Sequence, residues 1–299
     1  MHGRAVALGA GTILNALSTG VGSAFAIDAE TTATVELDDS ESVRGSVAED
    51  ADADTRLIER CVELAVERYG DDEYGGTVRT ESDVPMAAGL KSSSAAANAT
   101  VLATADALGV EPDREEACRL GVQAARDVGV TITGAFDDAS ASMLGGATVT
   151  NNDDDELLSR EPVEWDVLVW TPDERAYSAD ADVESCANVA SMAELVAELA
   201  LDGRYAEAMT VNGLAFSAAL DFPTDPAVEA MPHAAGVSLS GTGPSVVAVA
   251  ERGSAAHQTE SGDVDDGDES PLKRLRGLWA KRDGRTWLTT TRNDGASIR

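Results

Sequence analysis

The chain is short of aromatics, lysine, cysteine and long apolar runs. Aromatic residues make up 4% of its 299 positions, so a buried core has to be assembled from Ala, Val, Leu and Ile. Hydrophobic residues still reach 43%, enough for such a core in one large domain or two modest ones. The three cysteines, Cys61, Cys118 and Cys186, stand far apart. They suggest neither a disulfide framework nor a zinc cluster, and they read as small core residues in a reducing cytoplasm. No run of about 18 apolar residues occurs, which argues against a membrane-spanning helix. The stretch Met1 to Ala10 does not follow a signal-peptide plan.

Positive charge is scarce as well. The sequence has 22 Lys and Arg against 54 Asp and Glu, a net charge of -32. Lysine occurs only at Lys91, Lys273 and Lys281. Such a surface repels phosphate backbones and anionic lipid, so neither nucleic acid nor a membrane is expected as a partner. The acids are spread along the chain rather than gathered in one block. That pattern suits a salty cytosol, where the screening length falls to about 3 Å at 1 M salt, better than it suits one basic partner. His2, His233 and His257 have no arranged neighbours, so no catalytic histidine is assigned. The four tryptophans, Trp165, Trp170, Trp279 and Trp287, read as packing residues.

The pattern along the chain is mixed. Arg4 to Ala10, Ala24 to Ile27, Ala33 to Leu37 and Gly75 to Glu81 read as strands. Leu57, Ile58, Cys61, Leu64, Ala65 and Tyr69 form one helical stripe. Ser92 to Leu108 and Asp113 to Asp127 follow as helices, and Ala147 to Thr150 as a strand. The acidic run Asn151 to Glu156 is a turn and a candidate boundary, giving units of 1–155 and 156–299. Beyond it come a strand at Val167 to Trp170, helices at Glu184 to Leu201 and Tyr205 to Leu220, and strands around Val237 and Val246. Ser254 to Ser270, with six acids and no base, reads as a solvated insertion. A short helix around Leu272 to Leu278 and a strand near Trp287 close the chain. Strands and helices mix without strict alternation, which favours an α+β fold.

Three stretches carry chemistry. In Pro85-Met86-Ala87-Ala88-Gly89-Leu90-Lys91-Ser92-Ser93-Ser94-Ala95 a strand feeds a glycine loop and a helix starts at once. Unpaired N–H groups at a helix start attract anions. The serines add hydroxyls for phosphate or magnesium, and Lys91 adds a point charge. The spacing is not that of G-x-x-x-x-G-K-[ST], and a serine-capped surface helix would look similar. In Thr131 to Ala139, Asp137 and Asp138 follow a small apolar turn. One could take a hydroxyl proton while the other aids positioning, although an aspartate at a helix start is also an ordinary cap. Ser240-Gly241-Thr242-Gly243-Pro244-Ser245 is a tight turn between apolar strands, either a close approach to a ligand or a plain hairpin.

In this order the three stretches, with Gly9 to Asp28 ahead of them, resemble the GHMP kinase superfamily. More narrowly, Gly9 to Ala16, Gly89 to Ala95 and Thr133 to Ala139 resemble the archaeal shikimate kinases. The resemblance spans nearly the whole chain except the acidic insertion, and a halophilic archaeal source would account for the charge. It implies the GHMP fold, two domains with the active site in the cleft between them. It also implies ATP phosphates on the loop from Pro85 through Ala87, Ala88, Gly89, Leu90, Lys91, Ser92, Ser93 and Ser94 to Ala95. Mg2+ would lie at Ser93, Asp137 would be the catalytic carboxylate and Asp138 the second choice. The implied acceptor is the 3-hydroxyl of shikimate. Homoserine kinase, or an inactive ligand sensor on the same fold, are the alternatives. The glutamate that several family members carry about ten residues before the aspartate is absent, and Asp127 could replace it as a metal ligand. The cleft is expected to be locally positive, with Arg4 and Arg126 as candidates for the acceptor's carboxylate.

Overall fold

The computed structural model describes residues 1–71, 74–86, 88–173, 182–252 and 270–299. β1 (His2–Leu14) and β2 (Val21–Asp38) form a long antiparallel hairpin. Two short strands were expected within β2. They are one because β2 is paired along both edges, by β1 along one and, on the other, by β5 (Ala147–Asn151) over its first part and β4 (Gly75–Ser82) over its last. The β-branched Thr31-Thr32 pair suits the continuation. β3 (Val43–Val47), which the sequence pattern did not reveal, runs parallel to β4. β6 (Glu156–Glu161) pairs with β5, and β11 (Ser297–Ile298) returns to β1, completing a seven-stranded sheet.

Four helices cover this sheet: α1 (Arg56–Tyr69), α2 (Ser92–Ala107), α3 (Arg114–Val128) and α4 (Phe136–Leu144). α2 is buried almost all round, on Ala97, Ala99, Val101, Leu102, Ala103 and Ala105. Its small side chains let the helix lie close on the hairpin, where a Cβ at Gly3 would collide with the Ala103 carbonyl. Alanine thus does the packing that aromatic residues do in other cores. Cys61 and Cys118 are free and fully buried here, and burial pushes both thiols up.

The second sheet has the order β10 (Arg285–Thr290), β7 (Trp165–Thr171), β9 (Val246–Glu251), β8 (Gly236–Leu239). α5 (Val183–Ala187), α6 (Ala190–Leu201), α7 (Tyr205–Ala219), α8 (Asp225–Ala230) and α9 (Pro271–Trp279) pack around it. The single helix expected over 184–201 is two, broken at Asn188-Val189. Of the acidic stretch, residues 254–269 lie outside the described residues.

The chain passes from the first sheet to the second between Glu161 and Trp165, a few residues beyond Asp155. A shared core ties the halves together: Ile13, Leu14, Phe25 and Ile27 of the hairpin pack with Trp165, Met209 and Phe216. Phe25 and Trp165 meet edge to face with ring centroids 5.3 Å apart. This α+β arrangement brings the β8–β9 turn, the end of β1 and the start of α2 to one place.

Candidate active site

The loop after β4 is clamped from two sides. Leu90, almost fully buried, accepts a hydrogen bond at its carbonyl from the Ala10 N–H at 3.2 Å. The Ser240 hydroxyl donates to the Gly89 carbonyl at 2.8 Å. Gly89 has φ +76°, and a Cβ there would strike the Ser240 carbonyl, so glycine is required both for the turn and for the approach. Lys91 follows in the left-handed region at φ 66° and stands at the N-cap of α2. Ala95 donates its N–H to the Lys91 carbonyl at 3.0 Å and buries its side chain. Among the described residues no acceptor takes the N–H groups of Ser92, Ser93 or Ser94. These three residues line a cavity, and Ser93 is the most exposed of them. The part of the predicted loop that offers free N–H groups to the cavity is therefore narrow. Pro85 has no N–H, Ala88 and Leu90 are buried scaffold, the Ala95 N–H is engaged, and Ala87 lies outside the described residues.

The acidic pair stands on the opposite wall. Ala135, with φ 53°, caps α4 without a side-chain bond of its own. Asp137 and Asp138 fall in the first turn, a favourable place for negative charge. Their side chains part company. Asp138 reaches the Lys91 ammonium, with Nζ 2.9 Å from Oδ1. Asp137 is only 5% exposed and accepts at Oδ1 from Asn152 Nδ2 at 2.7 Å. Its carboxyl lies so close to β2 that a Cβ at Gly22 would sit 2.5 Å from it. Burial, and secondly the neighbouring Asp138, push Asp137 up to about 7; Lys91 and the Asn152 hydrogen bond oppose them. A carboxyl that exchanges its proton near neutrality suits acid–base work.

The third stretch closes the cavity. Gly241 donates its N–H to Thr12 Oγ1 at 2.7 Å and accepts at its carbonyl from Asn15 Nδ2 at 2.8 Å. Thr12 and Asn15 thus pin the β8–β9 turn to β1. The cavity's volume is about 650 Å³. Its lining combines Lys91, the three serines and both aspartates with apolar residues that include Leu57, Ile58, Val122 and Val130.

Several expectations fail here. Among the described lining residues Lys91 is the single cation, against Glu49, Asp50, Asp52, Asp54, Asp137 and Asp138, so the cleft is not lined by arginine. Arg126 forks onto Asp155 at 2.6 and 2.7 Å. Arg4 is exposed on β1 and does not line the cavity. Asp127 is held by Arg60 at 2.8 Å and also lies off the lining, so it does not replace the missing metal-binding glutamate. Charge placement of this kind depends on tertiary contacts that composition does not report.

Residues 56–146 match the GHMP kinases N terminal domain. A shikimate kinase of Halobacterium salinarum is 61% identical, with 99% of each chain covered. The chain belongs to the archaeal shikimate kinases, within the GHMP kinases. It is an ATP-dependent small-molecule kinase. A shikimate kinase of Methanosarcina mazei is 47% identical over 99% of this chain and 96% of its own. The fold extends to distant members. A mevalonate kinase of Methanococcus jannaschii superposes with a TM-score of 0.74 at 13% identity, covering 98% of this chain and 99% of that one. In this family member Asn152, absent from every sequence motif, touches Asp137 directly.

Proposed function

We infer that the chain transfers the γ-phosphoryl group of ATP to the 3-hydroxyl of shikimate. The choice of acceptor rests on the kinship above. The placement of the chemistry rests on one observation: the Lys91–Asp138 pair joins the serine loop to the acidic turn across a single cavity. The N–H groups of Ser92, Ser93 and Ser94, reinforced by the dipole of α2, would receive the phosphates. Lys91 would shift from Asp138 toward the transferring phosphate. Ionised Asp137 would take the proton of the acceptor hydroxyl as its oxygen bonds to γ-phosphorus and the bond to the β-phosphate breaks. ADP leaves, and the proton passes to solvent. Phosphoryl transfer of this kind needs positioning and neutralisation more than covalent help.

The residues fit a magnesium ion. Ser93 offers an exposed hard oxygen in the cavity. The described residues form no cluster of three His, Cys, Asp or Glu side chains, so Ser93 and the phosphates would hold it. Bound there, Mg2+ would supply the neutralisation that an acid-lined cavity lacks. The apolar residues of the lining would suit a flat nucleobase. No described helix is long and apolar enough to cross a membrane, and we take the cytoplasm as the site of action.

The test is a coupled assay of purified protein in molar KCl, comparing shikimate with homoserine and mevalonate. Turnover of shikimate is expected. Turnover of either rival without shikimate would overturn the assignment.

A further inference from the structure

The turn after β5 sends one side chain into the centre of the site. Asn152 is 2% exposed. Its Oδ1 accepts from the Asp137 N–H at 3.1 Å and from the Thr150 hydroxyl at 2.8 Å. Its Nδ2 donates to Asp137 Oδ1 at 2.7 Å and to Thr133 Oγ1 at 3.3 Å. That uses both donors and two acceptor positions of the amide. A flipped amide would set its N–H groups against the Asp137 N–H, so the network itself fixes the orientation. Since α4 lacks a side-chain cap of its own, Asn152 caps it from another element and grips the carboxylate of the capped residue.

Asn152 is itself held. Its N–H donates to the Gly20 carbonyl at 2.9 Å. Its carbonyl accepts from Arg126 Nη2 at 3.2 Å, while Arg126 is forked onto Asp155. The arginine suggested by sequence for a substrate carboxylate instead stiffens the turn that carries Asn152.

We propose that Asn152 is a positioning residue for phosphoryl transfer, locking the Asp137 carboxylate in the orientation that receives the acceptor's proton. This rests on the reading of Asp137 as that proton acceptor. The charged groups facing Asp137 are Asp138 on its own helix and Lys91 at the head of α2. α3 contributes Arg126, turned onto Asp155, and Arg119, stacked over Phe136 at 5.3 Å. Among the described residues, β2 and β5 meet Asp137 with Gly22 and Thr148, neither of which titrates. A donor on an ionised carboxylate favours the charged form. Without Asn152, burial and Asp138 are opposed chiefly by Lys91, and Asp137 keeps its proton to higher pH.

The experiment compares Asn152→Ala and Asn152→Asp with the parent in molar KCl, measuring kcat, KM for ATP and the pH dependence of kcat with shikimate. Aspartate keeps the size and the cap acceptor but replaces the donor with a second carboxylate, which by itself raises Asp137, so the pH limb is read from the alanine variant; if alanine does not fold, an aspartate variant whose kcat and limb match the parent's overturns the proposal. The expected result is a kcat about 10–100-fold lower, as for a misplaced catalytic group. The acidic limb moves to higher pH and KM for ATP hardly changes. A lower melting temperature with an unmoved limb would reduce Asn152 to a helix cap and overturn the proposal, as would unchanged kcat. Asp137→Asn separates the two levels. If it turns over normally, the proton-acceptor reading falls and the proposal with it. If it is inactive while the Asn152 variants keep the parent's kcat and pH limb, the proposal alone falls.

Discussion

The ammonium of Lys91 lies 2.9 Å from the Asp138 carboxylate, so the cavity's one described cation is neutralised by a carboxylate of the same cavity. Lys91 is 4% exposed on its side chain and Asp138 19%. Under the proposed function, an arriving nucleotide would compete with Asp138 for Lys91. The pair works as a latch between the serine loop and α4.

That competition predicts opposite outcomes for the partners. Lys91→Ala should lower kcat/KM for ATP by about 10²–10³, as for loss of a charge aimed at the transition state. Asp138→Asn should lower KM for ATP, since Lys91 is released, and keep turnover within about tenfold of the parent. Steady-state kinetics on both variants check this. A larger kcat loss in Asp138→Asn than in Asp137→Asn would exchange the roles of the two carboxylates.

Asp137 also predicts a cost in stability. Its ordinary value of 3.8 rises to about 7 in the fold, so the folded state holds this proton more tightly than the unfolded chain. The stabilisation is complete below about 4 and is lost as pH rises through about 7. Asp137→Asn should accordingly melt a few degrees above the parent on the alkaline side of neutrality, with the difference vanishing in acid. Melting curves at both ends of that window measure it. An equal or lower melting temperature in alkali would contradict the buried, ionised carboxylate.

Gly22 predicts a catalytic effect at a position with no chemistry of its own. A Cβ there would stand 2.5 Å from the Asp137 carboxyl, forcing the side chain out of its seat. Gly22→Ala should reduce kcat by about 10²-fold, in line with a displacement near 1 Å, with ATP binding retained. Nucleotide titration beside turnover separates the two effects.

The charge of -32 predicts dependence on salt. Ion pairs of the described surface, such as Arg292 with Asp28 and Asp294, leave most carboxylates uncompensated. Diluting KCl lengthens the range over which they repel, so the melting temperature should fall steadily from molar to low salt. A melting temperature indifferent to KCl would remove the halophilic reading.

The parts of the site legible in the sequence are local. Gly89, Lys91 and the serine run form one strand–loop–helix unit, and its chemistry follows from the order of residues. Asp137 and Asp138 are likewise visible beside their small apolar turn, although the short α4 behind them is too serine-rich for a clear helical stripe. What was not legible depends on long-range pairing. The unity of β2 comes from three partner strands, and β3 is five residues long. Asn152 sits in an acidic run that reads as a plain turn, and its partner Asp137 lies 15 positions away. The amide pair Asn151-Asn152 ahead of three aspartates is the available signal. Arg126 carries no mark in the sequence that it binds Asp155 rather than a substrate.

On the proposed function, serine-loop amides hold the nucleotide while Asp137 serves the acceptor across the same cavity. Its most direct test is Asp137→Ala in molar KCl, with shikimate turnover and ATP dissociation measured on one preparation. Turnover should fall by about 10²–10⁴, as for loss of a general base, with nucleotide affinity essentially that of the parent. Turnover equal to the parent's, or nucleotide binding lost together with it, would contradict this division of labour.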